Sequence, residues 1–275
     1  MLLNKIFKID GEKIKKRNQE LIDSNWIDKL STEQKKFLNF RKADPTIMNR
    51  DGLFSYFDLS NYLVNPDKFN EISINNLREY LSIYQIKQKN NIISFNNIND
   101  DLKKILTDIM KHRIKTIQKY IRIEDSIFKK GIHSNDTIYR MQDKIIEGNI
   151  IKNTTSWSLQ PIEWFCLKEE CHLYITKIPK DIKVIYLENK SKDKNLSVFN
   201  DFNTYEFEYI LPRNLEFKEI KMKKIKIPNK FINDKNIEMN KFNEQIINCH
   251  FIKIVKKLKN GQFPKTDNVQ VKLIV

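Results

Sequence analysis

Apolar residues recur at three- and four-residue spacing through Ile98, Leu102, Ile105, Leu106, Ile109, Ile114, Ile117 and Ile121, with Lys and Asp between them. That period is one face of an α-helix, and it predicts a long amphipathic helix over 98–123. Upstream, Ser31-Thr32-Glu33-Gln34 carries N-cap chemistry ahead of Phe37, Leu38 and Phe40, and Pro45 stops that helix within a few turns. Residues 1 to about 125 therefore read as mostly helical. After Gly131 the pattern shifts to short β-branched and aromatic runs at 137–139, 172–178, 183–187, 205–211, 216–221, 247–255 and 269–275. Several alternate apolar with polar, as half-buried strands do, and Pro179-Lys180-Asp181, Pro212-Arg213-Asn214 and Asn260-Gly261 punctuate them. A helical first part and a β-rich second part make the chain α+β. Residues 188–204 are polar with few apolar residues and read as a long loop, which in a compact domain is either functional or disordered.

No linker rich in Pro, Gly or Ser separates the two parts, and no internal repeat is present. The net charge of +15 and a pI near 9.5 invite a nucleic-acid reading, since clustered Lys and Arg neutralise phosphates. Yet Lys outnumbers Arg roughly fivefold, and Asn and Ile are inflated as well, the mark of an AT-rich coding sequence. Arg, the residue suited to forked phosphate and base contacts, is scarce, and no groove-reading helix or stacking-aromatic motif stands out. A solvated basic surface is the preferred reading, and nucleic acid is set aside as a partner. Cys166, Cys171 and Cys249 are an odd number without the spacing of a four-ligand zinc site, which predicts buried or free thiols in a reducing compartment and no bound metal. At the start, Lys5, Lys8, Asp10 and Glu12 interrupt the apolar residues before a signal-peptide core is reached, and no run approaches the length of a membrane span. The expectation is an intracellular, cytoplasmic protein, or one delivered into a cell from outside.

Three features in the β-rich part carry candidate chemistry. Arg140 ends the apolar run Thr137-Ile138-Tyr139, and alone it is an ordinary charged strand end. Ser156-Trp157-Ser158 sits in a strand whose Ser158 or Gln160 leads into a helix starting at Pro161. In Tyr205-Glu206-Phe207-Glu208-Tyr209, two carboxylates stand two apart, so a continuous strand would turn Glu206 and Glu208 to one face and Tyr205, Phe207 and Tyr209 to the other. Two like charges on one face destabilise a strand unless something uses them.

In chain order these features are Arg, Ser-x-Ser and Glu-x-Glu, and the order resembles the mono-ADP-ribosyltransferase family of the arginine–serine–glutamate type. The resemblance covers roughly residues 70 to 260. Its most specific element is EFEYILPRNLEFKEI, where Glu-x-Glu is followed by two further residues, Leu-Pro, a basic residue and a turn; TIYR, TSWSLQPIEWF and HLYITKIPKDIKVIYL support it. Two positions depart from the family: Met141 follows Arg140 where Gly is usual, and Trp157 stands where Thr is common.

The resemblance implies a split β-sandwich with flanking helices at 71–275, preceded by a helical region at 1–70 of unassigned role. It implies NAD as substrate and a protein carrying an exposed arginine as partner, in the manner of a toxin or effector. Glu208 would stabilise the positive ribose, Ser156 would hold Glu208 and the nicotinamide ribose, and Arg140 would clamp the diphosphate. Tyr139, Trp157 and Ser158 complete the NAD contacts, Glu206 orients the acceptor arginine, and Phe199 and Phe202 are target contacts. Two alternatives stay open: an NAD glycohydrolase using the same residues, and an inactive binding protein that keeps the fold.

Overall fold

A computed structural model describes residues 6–42, 56–66, 71–73, 100–161, 170–187, 207–228, 244–261, 263 and 272–274. The chain forms two units, residues 1–39 with 125–260 and residues 40–124 with 261–275. This grouping differs from a division at residue 70, because the first helix belongs with the sheet.

That helix, α1 (Gly11–Asp23), starts at Asp10, whose carboxylate accepts the N–H groups of Glu12 and Lys13. Ile14 and Leu21, seven apart on its inner face, enter the core of the first unit. Two polar pins fix it there: Asn18 accepts the Tyr186 hydroxyl at 2.6 Å, and Arg17 donates to Asp136 at 2.9 Å. The next helix, α2 (Thr32–Lys42), opens on a reciprocal cap in which the Ser31 N–H donates to Gln34 Oε1 and the Gln34 N–H donates to Ser31 Oγ.

In the second unit, α3 (Tyr56–Val64) and residues 100–124 of α4 (Asp100–Lys130) accompany a parallel pair of β1 (Glu71–Ser73) and β11 (Lys272–Ile274). Leu106, Met110, Ile114, Ile117 and Ile121 form the buried stripe of α4, while Ile105 is exposed. Arg113 pairs with Asp58 at 2.9 Å, and Gln118 donates to the Tyr62 hydroxyl.

The last turns of α4 lie in the first unit and bury Ile127 and Phe128. Gly131 follows, where a Cβ would stand 2.5 Å from the Val184 carbonyl oxygen, so only glycine lets the chain pass this close to the sheet. The strands are β2 (Ile132–His133), β3 (Thr137–Gln142), β4 (Ile150–Ile151), β5 (Thr155–Ser158), β6 (Glu170–Lys177), β7 (Lys183–Tyr186), β8 (Glu208–Leu211), β9 (Leu215–Pro228) and β10 (Glu244–Lys257). They pair in the order β2-β7-β8-β5-β3-β6-β10-β9-β4, with β6 and β10 parallel and the other pairs antiparallel. Strands β3 and β5 meet at the single pair Tyr139↔Ser158, which divides the sheet into two halves. The architecture is α+β, with helices beside a large mixed sheet.

Alternation gives the sheet two apolar faces. One gathers Ile138, Trp157, Tyr174, Tyr186, Tyr209, Leu211, Ile252 and Ile254 with α1; the other gathers Met141, Leu173, Ile175, Ile247 and Cys249 with Phe7, Tyr139, Ile225 and Phe251. Among the described residues, no helix is long and apolar enough to cross a membrane.

The expectation of free thiols is corrected at Cys171, which is disulfide-bonded. Cys249 is free and buried, and burial pushes its thiol up to about 11. At pH 8 only about one Cys249 in a thousand is then a thiolate. Cys249 in the native protein is expected to resist iodoacetamide at pH 8 and to react once urea unfolds the chain; equal labelling rates would show that it is open.

Candidate functional site

The functional reading depends on whether Arg140, the two serines and Glu208 meet. Register answers for the backbone: β3, β5 and β8 are consecutive in the sheet, with Tyr139 opposite Ser158 and Ser158 opposite Glu208. Opposed residues share a face, so Tyr139, Ser158 and Glu208 form one row across three strands. Ser156 is two residues along β5 on that same face.

Arg140 follows Tyr139, so its side chain leaves β3 on the other side. There its Nη1 donates to the Ser156 carbonyl at 2.7 Å and its Nε donates to Gln142 Oε1 at 2.9 Å. The guanidinium joins β3 to the serine motif through the backbone.

Ser158 is buried, and its hydroxyl accepts the Gln160 N–H at 3.2 Å, turning the chain at the end of β5. Ser156 is half-buried, as are Tyr139 and Glu208. Burial raises the Tyr139 phenol above its ordinary value, so it stays protonated at neutral pH. Trp157, expected on the nucleotide, is built into the core: it is 2% exposed, and its indole N–H donates to Thr155 Oγ1 at 2.8 Å. The period of two sends it to the face opposite Ser156 and Ser158.

Glu208 begins β8, and the residue before it breaks the strand. Phe207 has a φ of 49°, the left-handed region that a bulky residue occupies at a cost of about 1–2 kcal/mol. Its ring is buried, and its carbonyl accepts the Leu159 N–H. The Glu208 carbonyl in turn accepts the Leu187 N–H at 2.9 Å. Both neighbouring chains thus fix the backbone that carries the Glu208 carboxylate. The described strand starts at Glu208, directly after the backbone turn at Phe207. Glu206, Phe199 and Phe202 lie outside the described residues, as does the helix expected after Pro161.

Several residues that the sequence does not single out hold this frame. Tyr209, next to Glu208 on the core face, donates its hydroxyl to Asp136 at 2.6 Å, and Asp136 also accepts from Ser134 and Arg17. Burial opposes ionisation of Asp136, but these three donors outweigh it and hold the carboxyl below its ordinary range. Arg213, the basic residue after Leu211-Pro212, is buried and forks onto Asp125 at 2.7 and 3.2 Å.

A second polar group lies on β6, β10 and β9. His250 is buried between Glu219 and His172, which is 2.9 Å away, and the Tyr174 ring stacks on it at 4.6 Å. With His250 Nδ1–H donating to Glu219 and His172 Nδ1–H donating to His250 Nε2, both hydrogen bonds are satisfied. Burial first, then His250, lowers the His172 pKa, and Glu170 opposes them. Their cross-strand pairing depends on β6 and β10 lying parallel, for which the sequence carries no local signal. Among the described residues, no group of three or more His, Cys, Asp or Glu is placed to hold a metal ion.

No protein-family model matches the chain, and no curated protein matches it. Solved structures to which it is similar include Plx2a, an ADP-ribosyltransferase toxin from Paenibacillus larvae, at 16% identity over 90% of this chain and 98% of that one, with a TM-score of 0.42. The enzymatic component C2-I of the C2 toxin from Clostridium botulinum is similar at 13% identity over 85% of this chain and 46% of that one, with a TM-score of 0.48. This chain therefore spans about half the length of C2-I. Vis, an ADP-ribosyltransferase from Vibrio splendidus, in complex with agmatine, is similar at 12% identity over 90% of this chain and 86% of that one, with a TM-score of 0.46.

Proposed function

We propose that this chain transfers ADP-ribose from NAD to a protein, with an arginine side chain as acceptor. The observation that carries the reading is the row Tyr139–Ser158–Glu208 on adjacent strands, with Arg140 bonded to the backbone of Ser156 beside it. Three motifs that resemble one family in sequence are adjacent in space, which chain order alone does not require.

The donor set fits NAD, an anionic dinucleotide with a positively charged leaving group. A guanidinium suits its diphosphate, because a planar fork of donors matches phosphate oxygens. A carboxylate suits the ribose, because breaking the nicotinamide–ribose bond builds positive charge there, as in glycoside hydrolysis. Glu208, held by its backbone, stabilises that charge more than the ground state and so lowers the barrier. Ser156 and Ser158 orient the ribose and the carboxylate from the neighbouring strand, and Tyr139 closes the row with a half-buried ring. Glu206 belongs to the acceptor: a guanidinium has a pKa above about 12, so a neighbouring carboxylate must orient it and take its proton as it attacks. Phe199 and Phe202, in the segment leading to Glu206, would meet the target protein.

The test is incubation of the protein with NAD labelled in its adenylate half and agmatine as a guanidine acceptor. Labelled ADP-ribosyl-agmatine together with released nicotinamide is the expected result. Free ADP-ribose as the sole product would make water the acceptor and the protein a glycohydrolase. Absence of both cleavage and NAD binding at millimolar concentration would sink the reading.

A further inference from the structure

We infer that Gln142 is a positioning residue for the diphosphate of NAD, acting through Arg140. The inference rests on the function proposed above and adds to it a residue that none of the three motifs contains.

Arg140 and Gln142 are two apart on β3, so their side chains leave the strand on one side. Gln142 Oε1 accepts the Arg140 Nε–H at 2.9 Å, and the same amide donates through Nε2 to the Lys144 carbonyl. The second bond fixes the orientation of the first. Rotating the amide by half a turn would set its NH2 against the Arg140 N–H and its oxygen against the Lys144 oxygen, with both bonds lost. The oxygen therefore faces Arg140. A second anchor, the Ser156 carbonyl, holds Nη1 at 2.7 Å. Two acceptors on different nitrogens fix the plane of a group that is rigid once its plane is set.

An arginine held this way has already lost the rotamer freedom that gripping an anion would otherwise consume. That freedom is worth roughly 0.5–1.5 kcal/mol for a long side chain, which converts to an affinity change of about two- to tenfold. The diphosphate does not react, so its contacts are equally strong in the ground state and the transition state. Loosening them raises KM and leaves kcat alone.

Gln142→Met keeps the length of the side chain and removes its acceptor. In the full chain, its dissociation constant for ADP-ribose, measured by calorimetry, and its KM for NAD should rise about two- to tenfold. The kcat of NAD cleavage should stay within about twofold, and so should inhibition by nicotinamide, which has no phosphate. Gln142→Ala, which removes the acceptor without an apolar stem, should give the same pattern. A general loss of structure would weaken nicotinamide and ADP-ribose together, and that result would overturn the inference. Unchanged ADP-ribose affinity in both variants would also overturn it, as would a fall in kcat at unchanged KM. A wild-type protein that binds neither ADP-ribose nor NAD would overturn the proposed function, and this inference with it.

Discussion

Glu208→Gln is expected to lower the rate of nicotinamide release from NAD by about 10²–10³-fold, the loss of roughly 3–4 kcal/mol typical when one preorganised electrostatic group is removed. The effect is large because the group is fixed before the reaction begins. Phe207 turns the chain immediately ahead of Glu208, and the Leu187 N–H holds the Glu208 carbonyl. A carboxylate on such a backbone needs no reorganisation when charge develops beside it. The Gln side chain keeps the shape and the hydrogen-bonding reach but has no charge to offer the positive ribose. NAD affinity should therefore change far less than the rate, because the ground state carries little of that charge on the ribose. The companion variant, Glu206→Gln, should leave nicotinamide release near the wild-type rate and abolish transfer to agmatine if Glu206 serves the acceptor as proposed. Single-turnover release of nicotinamide, measured beside adduct formation, separates the two. Equal activity in all three proteins would refute the assignment of both residues.

The contrast between Glu206 and Glu208 also shows where a sequence stops being readable. Alternation through Tyr205–Leu211 looks like one strand, and it predicts a shared face for the two carboxylates. The strand begins only at Glu208, because Phe207 adopts a positive φ, and hydrophobic periodicity carries no sign of that for a non-glycine residue. The features that could be read are those set by local chemistry. The reciprocal cap at Ser31 and Gln34 follows from residue types three apart. The helix predicted at 98–123 is present as Asp100–Lys130, and it runs on to Lys130 because Ile127 and Phe128 continue its buried stripe. Strand β9 is more than twice its predicted length. Its extension, Met222–Pro228, is so rich in lysine that the pattern reads as solvent, yet pairing with β10 holds it extended.

What could not be read is contact across distance in the chain. Trp157 has the same neighbours in sequence whether it faces a ligand or the core, and only the register of β5 against β8 decides. Arg213 looks like a turn residue until Asp125, 88 positions earlier, appears beside it. The serine and glutamate motifs are a further case. Their resemblance to a family suggests adjacency, but the pairs Ser158↔Glu208 and Tyr139↔Ser158 are what make one surface of them.

The same frame predicts the largest loss of stability. Asp136→Asn should destabilise the protein at pH 7 by about 2–4 kcal/mol, measured by urea unfolding, because it strips the charge from an acceptor on which the donors of Arg17, Ser134 and Tyr209 converge in a partly buried site. The pH dependence follows from the direction of its shift. The folded-state pKa of Asp136 lies below the unfolded one, so its stabilisation is fully present above the ordinary carboxylate range. It is lost as pH falls through that range toward the lower folded value. Below it, wild-type Asp136 carries a proton and resembles the Asn variant, so the difference between the two proteins should close. A gap that stays constant down to pH 3 would show that shape, not charge, holds the site. Tyr209→Phe should cost less, about 1 kcal/mol, and the two changes together should cost less than their sum, because both act on the same bond. Asp136 immediately precedes the strand that carries Arg140, and Tyr209 is the residue after Glu208. The bond between them ties the arginine strand to the glutamate strand through the core, so variants that weaken it should lose NAD cleavage at temperatures where the wild-type protein still holds both strands in place.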